Sequence, residues 1–220
     1  MGSWEVKYDE PFAVFAQAAG LKHLPPILYK NVNESLISVF IERWNPETNS
    51  FHLPFGEMSI GLHDVHFIMG MRIRGTSIGR TLDEYVAGKK VAKTQIINNA
   101  AADLGLVPEK GGCSHDKLKK KAKTDSEMDN ATKGAAYLLF LVGTILCPDK
   151  SQNLIPFKYW DYVKDLNKVE ASSWGSFLLA MVYRDLGECS RVECKKISTC
   201  YTLIQVCFVL LFVILNCFRF

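Results

Sequence analysis

The run from Ala135 to Leu146 is apolar on every face that a helix would present, and Pro148 follows it closely. A helix of this kind must be covered on all sides. About a dozen residues are too few to cross a bilayer, which takes about 20, but they are enough for a buried helix. We therefore predict that Ala135 to Leu146 is the central helix of a hydrophobic core. A chain of 220 residues, 48% of them hydrophobic, can build such a core.

Helical spacing of apolar residues also occurs before this run. The segment EPFAVFAQAAG has Pro11 at a first-turn position and Gly20 at its end, which predicts a short amphipathic helix. NVNESLISVFIERWNP predicts a longer helix, with Asn31 or Asn33 as its cap and Pro46 beyond its end. The apolar stripe of this longer helix consists of Leu36, Ile37, Phe40, Ile41 and Trp44.

Further helices are predicted downstream. Thr81 and Glu84 have the spacing of a capping box, and KTQIINNAAADLG predicts a helix that ends at Gly105. SSWGSFLLAMVYRDLG predicts an amphipathic helix that ends at Gly187, with Trp174 as a packing anchor. The inward side chains of this last helix are Trp174, Phe177, Leu178, Met181 and Val182.

The segment FHLPFGEMSIGLHDVHFIMGM, residues 51–71, joins a strand-like pattern to a helical one. Alternating apolar residues before and after the turn at Gly56 predict a small β-hairpin near residues 51–60. Gly61 then stands at a helix cap, where the carboxylate of Asp64 can accept the open amide. Gly70 ends this helix, whose apolar face is Leu62, Val65, Ile68 and Met69.

These patterns define a mainly α fold, with a single helical domain that carries the hairpin and an apolar C-terminal helix. We expect an N-terminal helical segment at residues 1–20, the domain itself at 21–200 and an apolar tail at 201–220. Neither a Gly-rich phosphate loop of the GxGxxG or GxxxxGK type nor a GxSxG nucleophile elbow occurs in the sequence.

Cysteine and histidine spacing gives little support for a metal site. Seven cysteines stand in irregular positions behind a charged N-terminus, which favours reduced thiols in an intracellular protein. Cys189, Cys194 and Cys200 lack the short paired spacing of zinc ligands. His63 and His66 lie three residues apart without a third ligand at a recognisable spacing, so we interpret them as exposed histidines on a helix face. We therefore expect no catalytic, metal or cofactor-binding residues.

One cluster of charge stands out, although the net charge of the chain is only +3. The cluster consists of Lys117, Lys119, Lys120, Lys121 and Lys123. It could contact phosphate groups of a nucleic acid or serve as a nuclear-import signal. The alternative, which we favour, is a solvated helix face or a mobile loop. Asp125, Glu127 and Asp129 reduce the positive field, and no aromatic residue is interleaved for stacking on bases.

Three long motifs in fixed order carry a family resemblance. They are SLISVFIERWNPETNSFHLPFGEMSIGLHDVHFIMGM, then AAYLLFLVGTILCPDKSQNLIPFKYWDYVKDL, then SSWGSFLLAMVYRDL. Together they resemble the plant mobile domain, which occurs in plant transposable elements and in the similar MAINTENANCE OF MERISTEMS group of host proteins. The resemblance covers approximately residues 21–200.

This resemblance implies a nuclear, non-enzymatic interaction module linked to transposon silencing, genome integrity and meristem maintenance. Its implied partners are silencing or chromatin proteins. Some members of the family are labelled aminotransferase-like, but neither a phosphate cup nor a Schiff-base lysine can be identified here. The family offers no established catalytic residues to place on this chain. A transposon-derived DNA-associated protein is the alternative that the lysine cluster would serve.

The tail raises a further alternative. Its 22 residues from Ile197 to Phe218 are uncharged, which is long enough for a membrane tail anchor. Residues 206–220 consist mostly of Val, Cys, Phe, Leu and Ile, whose codons all contain a T, and Val206 begins with the GT of an intron. We favour the interpretation that residues 206–220 are translated intron and that the domain is truncated there. The last helix should then lie loosely on the body with its apolar face unburied.

Overall fold

The computed structural model describes residues 13–22, 24, 34–78, 90–148, 153–191 and 199–217. The α-helices are α1 (Ala13–Ala18), α2 (Glu34–Ile41), α3 (Leu62–Met69), α4 (Lys90–Leu104), α5 (His115–Thr124), α6 (Asn130–Leu141), α7 (Trp160–Val163), α8 (Leu166–Ala171), α9 (Trp174–Arg191) and α10 (Tyr201–Cys217). The strands are β1 (Trp44–Asn45), β2 (Ser50–Leu53), β3 (Gly56–Met58), β4 (Gly112–Ser114) and β5 (Leu154–Pro156). The mainly α class predicted from the sequence is confirmed.

Helix α6 is the centre of the core, as predicted. Every residue from Gly134 to Leu141 is buried, and α1, α5 and α7 pack against the helix. Its start lies earlier than the apolar run indicated, because the side chain of Asp129 accepts the backbone N–H of Thr132 and caps the helix. Its last turn, Val142–Leu146, is π-helical and also buried apart from Thr144, which is half-buried.

Two close approaches explain glycines in this central element. A Cβ at Gly134 would stand 2.3 Å from the ring of Phe15 on α1. A Cβ at Gly143 would stand 2.9 Å from Ile155 on β5. Both distances are shorter than non-bonded carbon contacts allow, so only glycine permits α1 and β5 to pack directly on the central helix.

The predicted hairpin is present and has one additional strand. Strands β2 and β3 pair antiparallel, with Phe51 opposite Met58, and β1 extends the sheet with Trp44 opposite Phe51. Helix α2 therefore ends at Ile41, and Trp44 belongs to the sheet rather than to the helical stripe in which we had placed it. The rings of Trp44 and Phe51 meet edge to face at 4.7 Å, a cross-strand contact that favours the sheet.

Helix α9 runs through Gly187, where we had predicted its end, and continues to Arg191. A glycine inside a helix costs about 1 kcal/mol relative to alanine. Packing of Leu186, which is fully buried, outweighs this cost. Gly20, Gly70 and Gly105, by contrast, have φ angles of 71°, 66° and 59° at the predicted helix ends.

The last helix is docked more firmly than we predicted. Leu203, Ile204 and Phe208 on α10 are fully buried, and the ring of Phe208 stacks on Phe40 at a centroid distance of 3.3 Å. The expectation of an unburied apolar face is therefore wrong for this part of the helix, because the aromatic rings of α2 and β2 offer it a complementary surface. None of the helices in the described part of the chain combines the length and the apolar composition needed to cross a membrane.

Several sequence predictions lie outside the described residues. They are the helix start at Pro11, the cap at Asn31 or Asn33, the capping box of Thr81 and Glu84, and the cysteine at position 194.

Candidate interaction surfaces

Helix α3 is fixed at both ends by the groups that the sequence predicted. Oδ2 of Asp64 accepts the backbone N–H of Gly61 at 2.7 Å, and the N–H of Gly70 donates to the carbonyl of His66 at 2.9 Å. Val65 and Met69 point into the core. Helix α3 therefore presents its opposite face to solvent in a defined orientation.

The outer face of α3 carries an unusually exposed aromatic residue. Phe67 is 82% exposed, and its only described ring contact is an edge-to-face approach to His66 at 5.6 Å. Leu62, which we had placed on the inward face, is 38% exposed. His63 and His66 also lie on the exposed side, as predicted, and a ring nitrogen of His66 is 2.9 Å from the carbonyl oxygen of Met71. Sequence spacing located the two inward positions but did not indicate how bare Phe67 would be.

The linker into α3 is tied to α9. The hydroxyl of Tyr183 donates to the carbonyl of Ile60 at 2.6 Å and lies 2.8 Å from the hydroxyl of Ser59. These contacts join residues that are far apart in the sequence, so α3 moves together with the body of the domain. Sequence analysis did not find this contact, because hydrogen bonding by one tyrosine leaves no pattern in the sequence.

Helix α10 lies beside α3 and adds apolar surface to the same side of the domain. Burial, with a contribution from the carboxylate of Asp64, raises the pKa of Cys207 on α10 to about 12. Further along α10, Val209 and Leu210 remain 50% and 48% exposed. We call Leu62, Phe67, Val209 and Leu210 the apolar surface of α3 and α10.

The lysine cluster lies on helix α5, the solvated helix face that we had favoured over a mobile loop. The side chain of Ser114 caps α5 by accepting the N–H of Lys117 at 3.3 Å. Leu118 and Ala122 are buried against α6, whereas Lys120 and Lys123 are exposed. The structure does not test whether any of the five lysines binds a partner.

Neighbouring carboxylates offset part of the charge of this cluster. Lys117 forms an ion pair with Glu109, and Nζ of Lys121 lies 2.9 Å from Oδ2 of Asp125. Lys121 and backbone N–H donors lower the pKa of Asp125, so its carboxylate keeps its negative charge well below neutral pH. Helix α5 therefore presents only a moderate positive potential.

The buried thiols are poor nucleophiles. Burial raises the pKa of Cys113 and of Cys147 to about 12, and that of Cys200 to about 11. A thiol reacts through its thiolate, which is scarce at neutral pH when the pKa is this high. The five cysteines whose side chains the structure describes are free thiols.

Asp185 is the one buried carboxylate that sequence analysis missed among the described residues. Its Oδ1 accepts the guanidinium of Arg184 at 2.8 Å, while its Oδ2 is buried without a hydrogen-bond partner. Burial raises its pKa to about 6. The available signal was its position, since Asp185 lies three residues after Val182 on the apolar stripe of α9.

A mainly helical domain with small antiparallel sheets, an apolar outer surface and a lysine-rich helix is thus what the fold and its surfaces define. A profile of the plant mobile domain matches residues 24–216. Because this match covers most of the chain, the chain belongs to the plant mobile domain family, as the three sequence motifs had indicated.

Curated relatives from Arabidopsis thaliana agree with this membership. Protein MAIN-LIKE 1 is 32% identical over 198 residues, which are 85% of this chain and 37% of that protein. Protein MAINTENANCE OF MERISTEMS is 32% identical over 183 residues, which are 80% of this chain and 37% of that protein. A serine/threonine-protein phosphatase 7 long form homolog is 27% identical over 194 residues, only 14% of its length. The chain thus spans little more than a third of the first two relatives. No solved structure matches it.

Proposed function

We propose that the chain is a protein-interaction module of the nucleus without catalytic activity of its own. The observation that carries this proposal is the apolar surface of α3 and α10, above all Phe67 with 82% of its surface exposed on a rigid helix. Single exposed apolar residues are ordinary, but a bare aromatic ring beside further exposed aliphatic residues is typical of a binding surface.

The chemistry of the described side chains supports a non-catalytic role. The thiols of Cys113, Cys147 and Cys200 are held protonated by burial. The two exposed histidines of α3, His63 and His66, contact a carboxylate and a backbone carbonyl rather than a nucleophile. The phosphatase name of one relative belongs to a protein of which this chain matches a small part, and we do not extend it to this chain.

The cellular role follows from family membership. One relative is named for the maintenance of meristems, and the family resemblance links such proteins to transposon silencing and genome integrity. We propose the same role here, with silencing or chromatin proteins as the partners of the apolar surface.

Affinity purification of the tagged chain from plant nuclei tests this proposal. Phe67→Ala should remove the specifically bound proteins, because truncation of a central aromatic residue commonly costs 2 kcal/mol or more of binding free energy. The matched control is Val107→Ala, which changes an equally exposed apolar residue (84%) on the loop after α4. Equal recovery of the same partners by both variants would contradict the proposal.

A second candidate function is association with DNA through helix α5, favoured by the exposure of Lys120 and Lys123. Duplex DNA should then bind with an affinity that falls steeply with salt, because each phosphate contact releases counterions. Replacing Lys120 and Lys123 by Gln should flatten the salt dependence by about two contacts. Replacing Lys164 and Lys168 on α7 and α8 serves as the control of equal charge.

Location is tested separately with a fluorescent fusion of the chain. Nuclear accumulation that is lost when Lys117, Lys119, Lys120, Lys121 and Lys123 are all changed to Gln would support nuclear import through α5. Fractionation of the fusion with membranes would instead support the tail anchor.

A further inference from the structure

We propose that Ser126 is a phosphorylation site for an acid-directed serine/threonine kinase. Ser126 lies in the five-residue connection between α5 and α6. Carboxylates precede it (Asp125), follow it (Glu127) and stand three positions after it (Asp129). Acid-directed kinases of the casein kinase type carry basic residues in the substrate groove and select serines in this charge pattern.

The fold distinguishes Ser126 from the other hydroxyls with suitable sequence. In the described part of the chain, a carboxylate stands three positions after Thr124, Ser126 and Ser190. The hydroxyl of Thr124 donates to the carbonyl of Lys120 at 2.8 Å inside α5, and that of Ser190 donates to Gly187 at 3.2 Å inside α9. Only Ser126 of the three is exposed and lies outside a helix. A kinase binds its acceptor in an extended conformation, which a helix interior does not offer.

The connection around Ser126 is held by surface contacts alone. Oδ1 of Asp125 accepts the N–H of Glu127 at 3.0 Å, and Asp129 caps α6. Its one apolar side chain, Met128, is only half-buried. A segment with so few buried contacts opens locally at little cost in free energy. Opening would also release the carboxylates to a kinase groove.

The transfer step uses ATP and the kinase, and the chain supplies only the acceptor. Oγ of Ser126 attacks the γ-phosphorus of ATP, the bond from that phosphorus to the oxygen of the β-phosphate breaks, and ADP leaves. The hydroxyl proton of Ser126 passes to the catalytic base of the kinase.

Phosphorylation would invert the local charge. From His115 to Asp129 the sequence has five lysines and four carboxylates, a net charge of +1 with His115 neutral. A phosphoserine adds a charge of about −1.5 to −2 at neutral pH, which makes the segment net negative. The modified surface of α5 would then repel a polyanion that the unmodified surface attracts. This consequence rests on the second candidate function, whereas the modification site does not.

The test treats the full chain with a casein-kinase-type enzyme and ATP and follows its intact mass. We expect one phosphoryl group, mapped to Ser126 by fragmentation and absent from Ser126→Ala, while Thr124→Ala is modified like the parent. Phosphate should also be found on Ser126 of the chain recovered from plant cells. Failure of the folded chain to accept phosphate, or undiminished incorporation in Ser126→Ala, would overturn the proposal.

A matched variant separates the acidic determinant from the fold. Asn caps a helix as well as Asp does, so Asp129→Asn should keep the melting temperature of the parent. The same change removes the carboxylate three positions after the acceptor and should slow phosphorylation severalfold. An unchanged rate would contradict acid-directed recognition. If Ser126 is phosphorylated and DNA affinity is the same before and after, the site stands and the charge-inversion consequence is wrong.

Discussion

Asp185 brings a carboxyl group into the interior of the domain from the middle of α9. One of its oxygens is paired with Arg184 and the other is buried without a partner, so burial dominates and raises its pKa to about 6. The unfolded chain would release the same proton near pH 3.8. Folding is thus linked to protonation of this one side chain.

The sign of this linkage gives a first prediction. A raised pKa in the folded state means that Asp185 stabilises the fold fully below about pH 3.8, and that this stabilisation is lost as the pH rises through about 6. Asp185→Asn, which cannot ionise, should therefore lose the decline in unfolding free energy between pH 5 and 7, about 1–3 kcal/mol. Chemical denaturation at several pH values measures this.

The control for this prediction is Glu188→Gln on the same helix. Its side chain is largely exposed, so this variant should keep the decline of the parent. A decline of equal size in Asp185→Asn and in the parent would show that other groups cause it.

Single side chains also show where sequence reasoning stops. The capping role of Asp64 and the left-handed glycines could be predicted, because each depends on neighbours in the sequence. The exposure of Phe67, the burial of Asp185 and the hydrogen bond from Tyr183 to Ile60 could not, because each depends on an element that approaches from elsewhere in the chain.

Helices and strands were predictable to the extent that their pattern was local. The apolar run identified α6, and alternation identified the hairpin of β2 and β3. The pair β4 and β5 was missed, because it joins Gly112 to Pro156 across two helices and neither three-residue strand has a period to read. Trp44 was assigned to α2 because the helical period continues past Ile41, although pairing with Phe51 places it in β1.

The burial of α6 gives a second prediction. Leu139→Asp places a charge where the leucine is fully buried, with no partner in a helix covered on all sides. We expect loss of the cooperative thermal transition, because a cost of several kcal/mol is a large part of the stability of a domain. Circular dichroism on heating measures this. Val107→Asp, which places the same charge at an exposed position, should melt like the parent, and a Leu139→Asp variant that did likewise would disprove the central role of α6.

The domain as a whole is closed by contact between distant parts of the chain. Phe208 on α10 packs against Phe40 on α2 and, edge to face at 4.9 Å, against Phe51 on β2. With Trp44 and Tyr183, these rings form a continuous aromatic cluster. The cluster joins α2, the three-stranded sheet, α9 and α10 into one body.

A third prediction follows from this cluster. Phe208→Ala should lower the free energy of unfolding by about 3–5 kcal/mol, because it leaves a cavity lined by aromatic rings. Val209→Ala removes apolar atoms from the exposed neighbour on the same helix and should cost well under 1 kcal/mol. Denaturant unfolding of both variants measures the difference. Equal, small effects would mean that α10 contributes little to the stability of the domain.

Contact between Phe40 and Phe208 also has a consequence for synthesis on the ribosome. The rings of Phe40 and Phe51 emerge early, but the residue that covers them is translated more than 150 positions later. At a translation rate of about 5–20 residues per second, these rings wait about ten seconds or more for their cover. During that interval a newly made chain offers an aromatic surface to chaperones, and a ribosome stalled before position 208 would keep that surface open.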